Sequence, residues 1–151
     1  MSAYLDYYRN KTILITGGAG FIGSNLARRL ADLGARLVMI LDDLSAGYEW
    51  NIPRRDNILF IKGSVTDETA LKRAFQENPV VVFHLAAFFA NQNSVDYPER
   101  DLEVNGLGTL RVLEYATLSR VARFVYASSG CSVYGSEPPL PVREEFVSLR
   151  L

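Results

Sequence analysis

The chain has little of what several functional classes require. Its 151 residues contain one cysteine, Cys131, and one histidine, His84. An internal disulfide is therefore excluded, and no cysteines and histidines cluster at the spacing of a zinc site. No apolar run approaches the ~20 residues that span a bilayer, and the first residues lack a signal-peptide core. We therefore expect a soluble, cytoplasmic protein without a metal site.

The chain also lacks a large excess of either positive or negative charge. Lysine and arginine number 16 against 17 aspartates and glutamates, and the formal net charge is −1. So weak a field argues against nucleic acid or a membrane surface as a partner and favours a small molecule. With 48% hydrophobic residues, the chain is long enough for one domain, residues 1–151, with a buried core.

Short apolar runs alternate with stretches of helical periodicity along the chain. This alternation predicts a parallel sheet covered by helices, because strands buried on both faces are apolar throughout. Gly34 and Asp67 predict a helix C-cap and N-cap, respectively, and Pro79 prevents further helix. The predicted strands lie at 12–16, 36–41, 58–61, 80–85 and 123–128, and the predicted helices at 21–33, 67–77 and 98–119.

The segment "TGGAGFIG", residues 16–23, follows the first strand and opens the first long helix. Two glycine registers coexist in it: G-x-G-x-x-G from Gly18, and G-x-x-G-x-x-G from Gly17, with Gly20 and Gly23 common to both. Glycines there allow a tight turn and a close approach of backbone N–H groups to a pyrophosphate. The helix N-terminus adds free amides and partial positive charge.

Asp42 lies 22 residues after Gly20, at the end of the second strand. A carboxylate there can accept hydrogen bonds from the adenosine ribose and repels a 2′-phosphate, which favours NAD over NADP. An ordinary strand-to-helix turn remains an alternative. A triphosphate-binding loop needs a Lys after its last glycine, which Gly23 lacks, and a methyltransferase needs no third glycine.

Six ordered motifs resemble the extended short-chain dehydrogenase/reductases, in particular the NAD-dependent nucleotide-sugar epimerases and dehydratases. They are "TGGAGFIGSNLARRL", "LDDLSAG", "GSVTD", "HLAA", "VNGLGTLRVLEYA" and "FVYASSGCSVYG". The resemblance implies an α/β fold of the Rossmann type, a doubly wound parallel sheet of about five strands in the order 3-2-1-4-5. It also implies that later strands and a substrate-binding domain of the family are lacking here.

The resemblance implies a cofactor site residue by residue. The pyrophosphate residues would be Gly17, Gly20, Phe21, Ile22 and Gly23; those at the adenosine would be Asp42, Asp43, Leu44, Ser45, Ala46 and Gly47. Ser64 and Val65 would border the adenine, with Ser64 at a position where the family usually has Asp. The nicotinamide side would be lined by Leu85, Ala86, Ala87 and Ser128, and Asn105 would secure the loop after the fourth strand.

The resemblance also implies chemistry that the chain carries only in part. The family's Ser or Thr that orients the substrate hydroxyl corresponds to Gly130, so this role would pass to Ser129 or Ser132. A Tyr-x-x-x-Lys pair performs proton transfer in the family, and we expect this acid/base to be absent from the chain. His84 is expected to be structural, and Cys131 lacks a nearby activating group and is expected to be inert.

Three functions remain open from the sequence. The first is the NAD-binding part of a nucleotide-sugar epimerase or dehydratase, catalytically incomplete by itself, whose parent takes and returns a hydride. The second is a non-catalytic dinucleotide-binding module or sensor, and the third a plain dehydrogenase or reductase. The helix predicted at 98–119 would expose an apolar face, so we also expect a homo-oligomer.

Overall fold

The computed structural model describes residues 3–134 and 140–146. Helices and strands alternate along most of the chain. The strands are β1 (Thr12–Thr16), β2 (Leu37–Asp42), β3 (Ile58–Lys62), β4 (Val81–His84) and β5 (Arg123–Tyr126). The helices are α1 (Ala3–Asp6), α2 (Phe21–Asp32), α3 (Glu68–Phe75), α4 (Asn91–Asp96), α5 (Pro98–Asp101), α6 (Thr109–Leu118) and α7 (Gly130–Tyr134), with a 3-10 turn at Glu49–Asn51.

The five strands form one parallel sheet in the order β3-β2-β1-β4-β5. This confirms the predicted doubly wound, Rossmann-type arrangement. Strand β1 lies at the centre, and all five of its residues are buried. A strand covered on both faces must be apolar at nearly every position, which is why "TILIT" lacks the alternation of a half-exposed strand.

Each face of the sheet has its own hydrophobic core. Because successive side chains point to opposite faces, Ile13 packs on the α2 side while Leu14 packs on the side of α3 and α6. Leu30 extends the first core from α2, whereas Leu71 and Val112 extend the second from α3 and α6. The sheet is therefore held between two helical layers, and this packing fixes the positions of the strand ends relative to one another.

Two predicted helix caps are confirmed. Gly34 follows α2 with φ +84°, and its N–H donates to the carbonyl O of Ala31 at 3.0 Å. Asp67 precedes α3 and its carboxylate accepts from the N–H groups of Thr69 and Ala70 at 2.8 and 3.3 Å. Both caps satisfy backbone groups that a helix end leaves without partners.

The helix predicted at 98–119 is continuous from Pro98 to Leu118 but changes type along its length. Pro98 begins α5, a π-helical segment follows at Leu102–Gly108, and α6 continues from Thr109. Gly108 packs so closely on the loop after β3 that an added Cβ would lie 2.7 Å from Cγ2 of Val65. The π-helical segment widens the helix where it meets this loop.

Other predicted boundaries differ by a few residues. Strands β4 and β5 end at His84 and Tyr126 rather than at 85 and 128. Their hydrogen bonding continues one residue further, since the N–H of Ala127 donates to the carbonyl O of His84 at 3.1 Å. Helix α4 was not predicted, because "NQNSVD" is polar and has no apolar periodicity. Every helix in the described ranges is too short or too polar to traverse a lipid bilayer.

Candidate functional site

The candidate residues lie at the carboxyl ends of the five strands. Gly17 follows β1, Asp42 ends β2, and Leu85 follows β4; Ser64 and Ser128 lie two positions after the ends of β3 and β5. In a parallel sheet these ends lie along one edge. The strand order changes direction at β1 and β4, so a crevice opens there between loops that run to opposite faces of the sheet.

The glycine loop has no room for side chains at three positions, and at one of them, Gly18, an added Cβ would lie 2.6 Å from Cγ2 of Ile40. Gly17 has φ +71°, and a Cβ added to it would lie 2.7 Å from the backbone N of Ala86. A Cβ at Gly23 would lie 2.4 Å from the carbonyl O of Gly17. Gly20 differs, because its added Cβ would meet one atom, the same Gly17 oxygen, at 3.3 Å. Of the glycines in this loop, Gly20 is therefore the one that the packing of the described residues requires least.

Helix α2 begins directly after this loop with open backbone amides. Gly20 occupies its N-cap position, and no side chain of the described residues caps it. The first helical hydrogen bond is from the N–H of Ser24 to the carbonyl O of Gly20 at 3.0 Å. The amides of Phe21, Ile22 and Gly23 precede that bond and can serve an anion. The side chains of Phe21 and Ile22 are 84% and 70% exposed.

The Asp42 carboxylate connects the end of β2 with the glycine loop. Its Oδ2 accepts from the N–H of Ala19 at 2.9 Å, and its Oδ1 accepts from the N–H of Leu44 at 2.8 Å. An ionised carboxylate has about four acceptor positions, so both oxygens can accept further hydrogen bonds. Asp42 is partly exposed, which leaves this capacity accessible.

The loop after Asp42, residues 43–47, folds back onto the glycine loop. Ser45 donates its N–H to Oδ1 of Asp43 at 2.9 Å, and Leu44 has φ +63°. Gly47 is buried against Ala19, whose backbone C would lie 2.8 Å from an added Cβ. Asp43, Ser45 and Ala46 are exposed at the outer edge of this loop.

A cleft of about 660 Å³ lies beside this loop. Asp43, Ser64 and Thr66 contribute to it from the ends of β2 and β3, and its other lining residues come from the end of α4 through α5 into the π-helical segment. These are Asp96, Tyr97, Pro98, Glu99, Arg100, Glu103 and Val104. Tyrosine, proline and valine give the lining apolar surface against which a flat heterocycle can pack.

Ser64, which lines this cleft, and its neighbour Val65 occupy different environments. The Ser64 Oγ accepts from the N–H and the Oγ1 of Thr66 at 3.2 and 2.9 Å. Val65 is 3% exposed and its side chain belongs to the core. The Val65 side chain therefore belongs to the core, and its backbone is the part that would border a ring, so the contact of Val65 with the adenine stays a prediction.

The loop after β4 is held at two places. The N–H of Ala86 donates to Oγ1 of Thr16 at 3.2 Å. Asn105, in the π-helical segment, accepts the N–H of Phe88 with Oδ1 at 2.8 Å and donates Nδ2 to the carbonyl O of Phe88 at 3.0 Å. Asn105 thus makes the contact with this loop that the resemblance implied. Leu85 and Ala86 are partly buried, and Ala87 is exposed.

His84 is buried between two threonines. Its Nδ1 lies 2.7 Å from Oγ1 of Thr16 and its Nε2 lies 2.9 Å from Oγ1 of Thr109. Burial disfavours the charged imidazolium and lowers the pKa of His84 to about 4. The ring is therefore neutral at pH 7 and joins β1, β4 and α6, which is a structural arrangement.

The serines after β5 lie at the same edge of the sheet. Ser128 and Ser129 are exposed, and the carbonyl O of Ser129 accepts from the N–H of Val133 at 3.1 Å. Ser132 lies in α7, but its side chain and that of Cys131 lie outside the described part of the structure. A Cβ added to Gly130 would meet Cδ2 of Tyr134 at 3.9 Å, an ordinary contact.

One Tyr-x-x-x-Lys spacing does occur in the chain, at Tyr7 and Lys11. Lys11 immediately precedes β1, so the pair lies at the amino edge of the sheet, opposite the candidate site. The ammonium of Lys11 lies 4.7 Å from the centroid of the Tyr7 ring, and Arg123 lies over the same ring at 4.5 Å. This pair is a surface cation–π contact and does not supply the acid/base of the candidate site.

Sequence reasoning missed several residues that shape the site. Thr16 and Thr109 hold His84, and Asn51 donates Nδ2 to the carbonyl O of Ala19 at 2.9 Å. The acidic lining of the cleft was also missed. The sequence signal for the segment that lines the cleft is Pro98, because a proline after a polar segment often begins a new helix.

These observations fit a dinucleotide. The crevice offers open amides at the start of α2 for a pyrophosphate, and Gly20 leaves the least crowded position beside them. Asp42 keeps acceptor capacity for hydroxyl groups, and the adjoining cleft of about 660 Å³ has room for a nucleobase. Within residues 3–134 and 140–146, no three His, Cys, Asp or Glu side chains are placed to hold a metal ion.

Known structures share this arrangement. An epimerase from Methanothermobacter thermautotrophicus superimposes with a TM-score of 0.92 at 58% identity, covering 97% of this chain and 44% of its own. The NAD complex of UDP-glucose 4-epimerase from Thermus thermophilus gives a TM-score of 0.80 at 38% identity, covering 89% of this chain and 42% of its own. The chain thus spans less than half the length of either protein.

Sequence comparison agrees with the structures. UDP-glucose 4-epimerase from Mycolicibacterium smegmatis is 42% identical over 135 residues, which cover 87% of this chain and 43% of that protein. A sequence model of the NAD dependent epimerase/dehydratase family matches residues 13–150, a range that includes nearly all of the sheet. The chain therefore belongs to the NAD dependent epimerase/dehydratase family.

Proposed function

We propose that this chain binds NAD along the carboxyl edge of its sheet, as the cofactor-binding part of a nucleotide-sugar epimerase or dehydratase. The observation that carries the proposal is the Asp42 carboxylate, which holds the glycine loop through Ala19 and retains acceptor positions for the adenosine ribose. Its location at the end of β2, beside the open amides of α2, is the arrangement that a dinucleotide requires.

The charges around the adenosine end favour NAD over NADP. Asp42 and Asp43 lie at the end of β2, and the adjoining cleft contains Asp96, Glu99 and Glu103 against the single cation of Arg100. A 2′-phosphate brought here would meet several carboxylates and little compensating positive charge. A free 2′-hydroxyl would instead donate to Asp42.

The other half of the cofactor would cross from β1 towards β4. Ala86 and Phe88 are fixed there by Thr16 and Asn105, so the exposed Ala87 lies between two held backbone positions. The nicotinamide ring supplies a reversible hydride acceptor when bound. This chain's own contribution is to orient that ring towards the strand ends, where Ser128 and Ser129 lie.

The proposed substrate class is a UDP-sugar, because several relatives are UDP-glucose 4-epimerases. Ser129 or Ser132 would orient the reacting sugar hydroxyl. The proton transfer would need a Tyr-x-x-x-Lys pair near the nicotinamide, and the pair at Tyr7 and Lys11 lies at the opposite edge of the sheet. We therefore propose that the 151 residues alone do not turn over substrate.

A second candidate function is a dinucleotide-binding module or sensor without catalysis. Gly130 favours the non-catalytic module. A Cβ at this position would make an ordinary 3.9 Å contact with Tyr134, so the packing would permit Ser or Thr, and yet the chain has glycine there. The two candidate functions predict different coding sequences after Leu151. A Tyr-x-x-x-Lys encoded shortly after Leu151 would support the enzyme, and a stop codon or an unrelated sequence there would support the module.

NMR titration of the 151-residue chain with NAD tests the binding proposal. We expect saturable chemical-shift changes at the amides of Ala19, Gly20 and Leu44, and little change at Lys11 and Tyr7 on the opposite edge. Shifts that do not saturate at millimolar NAD, or that occur mainly at the opposite edge, would contradict the proposal.

A further inference from the structure

Three polar side chains form a connected group behind the loop after β4. They are Ser94 in α4, Asp101 at the end of α5, and Asn105 in the π-helical segment. Ser94 donates its hydroxyl to Oδ1 of Asp101 at 2.8 Å, and Nδ2 of Asn105 donates to the same oxygen at 2.7 Å. All three residues are partly buried, so these bonds are sheltered from competing water.

Asn105 uses its whole amide in this group. Its Oδ1 accepts from the N–H of Phe88, while the two hydrogens of Nδ2 are donated to the carbonyl O of Phe88 and to Asp101. A rotation of the amide by about 180° would turn Oδ1 towards two acceptor oxygens and the NH₂ group towards an N–H donor. The acceptor-only carboxylate of Asp101 therefore fixes the amide in the one orientation that holds both backbone groups of Phe88.

The fixed orientation of the Asn105 amide also fixes the part of the loop that faces the crevice. Ala86 is anchored by Thr16 at one end, and Phe88 is anchored by Asn105 at the other. Ala87, between them, is exposed and makes its backbone available at a constant position. If Asn105 turned or moved, Phe88 would lose both bonds and the loop would be anchored at one end only.

We propose that Asp101, itself held by Ser94, is a positioning residue for the nicotinamide half of the cofactor. It acts through Asn105 on the backbone of Phe88 and thereby on Ala87. This inference rests on the proposed function, since it assumes that NAD lies along this edge. Asp101 is not among the residues that line the cleft beside Ser64, so the adenosine half should not depend on it.

Calorimetric titration of the 151-residue chain with NAD and with ADP separates the two halves of the cofactor. ADP keeps the adenosine and the pyrophosphate but has no nicotinamide riboside. We expect Asp101→Ala to weaken NAD binding roughly fivefold to tenfold, the effect of losing about one charge-assisted hydrogen bond, and to leave ADP binding within about twofold. Ser94→Ala should act in the same direction with a smaller loss.

The matched control is Glu114→Ala, which removes an exposed carboxylate from α6. It should leave both affinities unchanged. Hydrogen exchange at the Phe88 amide should become faster in Asp101→Ala and stay unchanged in the control. If Asp101→Ala does not fold, Ser94→Ala gives the same comparison with the carboxylate still present.

The outcomes separate this inference from the proposed function. Unchanged NAD binding in both variants, or equal losses of NAD and ADP, would overturn the positioning role while NAD binding by the unaltered chain stands. An unaltered chain that binds neither ligand would overturn the proposed function, and this inference with it.

Discussion

Oδ2 of Asp42 accepts the backbone N–H of Ala19 at 2.9 Å, so the end of β2 is connected to the glycine loop that follows β1. The second oxygen accepts the N–H of Leu44 at 2.8 Å and fixes the turn that begins the next loop. One carboxylate thus shapes two loops and still faces the crevice. Its identity affects the geometry of the loop as well as the recognition of a ribose.

Asp42→Asn should weaken NAD binding about tenfold. The amide keeps the side-chain volume but offers one acceptor oxygen instead of two, so it cannot accept from Ala19, Leu44 and two ribose hydroxyls together. The discrimination against NADP should fall at the same time, because the charge that repels a 2′-phosphate is reduced. Calorimetric titration with both cofactors measures the two effects.

Asp56→Asn is the control for this substitution. Asp56 is exposed in the loop before β3, and it is not among the residues of the crevice. Its replacement removes the same charge and should change neither affinity. Equal losses in the two variants would mean that overall charge, rather than the position of Asp42, determines binding.

Gly20→Ala and Gly23→Ala should separate binding from folding. A methyl group at Gly23 would lie 2.4 Å from the carbonyl O of Gly17, so we expect the free energy of unfolding to fall by about 2 kcal/mol. At Gly20 the nearest atom of the described residues is 3.3 Å away, and the loss should stay below about 1 kcal/mol. Urea denaturation measures both values.

The NAD affinity provides the second half of this comparison. Gly20→Ala should bind NAD at least about tenfold more weakly although it folds, because the methyl group would occupy space beside the amides of α2. A Gly20→Ala protein with unaltered NAD affinity would show that the pyrophosphate does not approach this glycine.

His84 should make stability depend on pH in a range where few other groups titrate. Its pKa falls to about 4 in the folded chain because the ring is buried. The unfolded chain, with a pKa near 6.5, binds the proton first, so the stabilisation present above about pH 6.5 is lost as the pH falls towards 4. We expect the free energy of unfolding to drop by about 1 kcal/mol from about pH 6 to about pH 5.

His84→Gln tests the origin of this slope. The chain contains a single histidine, so the variant has no imidazole and should show a much flatter pH dependence over the same range. NMR titration of His84 in the unaltered, folded chain should give a pKa well below its ordinary value. A pKa near 6.5 would mean that the ring is hydrated.

The exposed apolar side of the α5 to α6 region should promote self-association. Leu107, Leu110 and Leu118 are 48%, 53% and 79% exposed. Covering such side chains is favourable, so light scattering should show a mass that rises with concentration. Leu110→Lys should reduce this rise more than the control Thr117→Lys on the same helix. A monomer at high concentration would contradict the prediction.

The sheet was predictable because its evidence is local. Ile13, Leu14 and Ile15 form a continuous apolar run, which indicates a strand buried on both faces. Asp42 could be predicted as well, since a carboxylate at the end of the second strand follows from the position of the glycine loop. Strand type, strand order and the main anchor of the crevice were therefore accessible from the sequence and the family resemblance it carries.

The polar group of Ser94, Asp101 and Asn105 was not accessible in the same way. Only Asn105 stands in a motif, and its partners come from a polar segment without periodicity. The hydrogen bonds form because α4, α5 and the π-helical segment pack together, which is a property of the tertiary structure. Val65 shows that a motif does not say which atoms make a contact: its apolar side chain is buried in the core, so backbone atoms would have to make the predicted contact with the adenine.

Calorimetric titration of the unaltered 151-residue chain with NAD and NADP, at one salt concentration, is the decisive test of cofactor binding at Asp42. We expect saturable binding of NAD and an NADP affinity at least about tenfold weaker, because Asp42 and its acidic neighbours accept a free 2′-hydroxyl but oppose a phosphate. Equal or tighter binding of NADP would contradict this expectation, and so would the failure of NAD to bind.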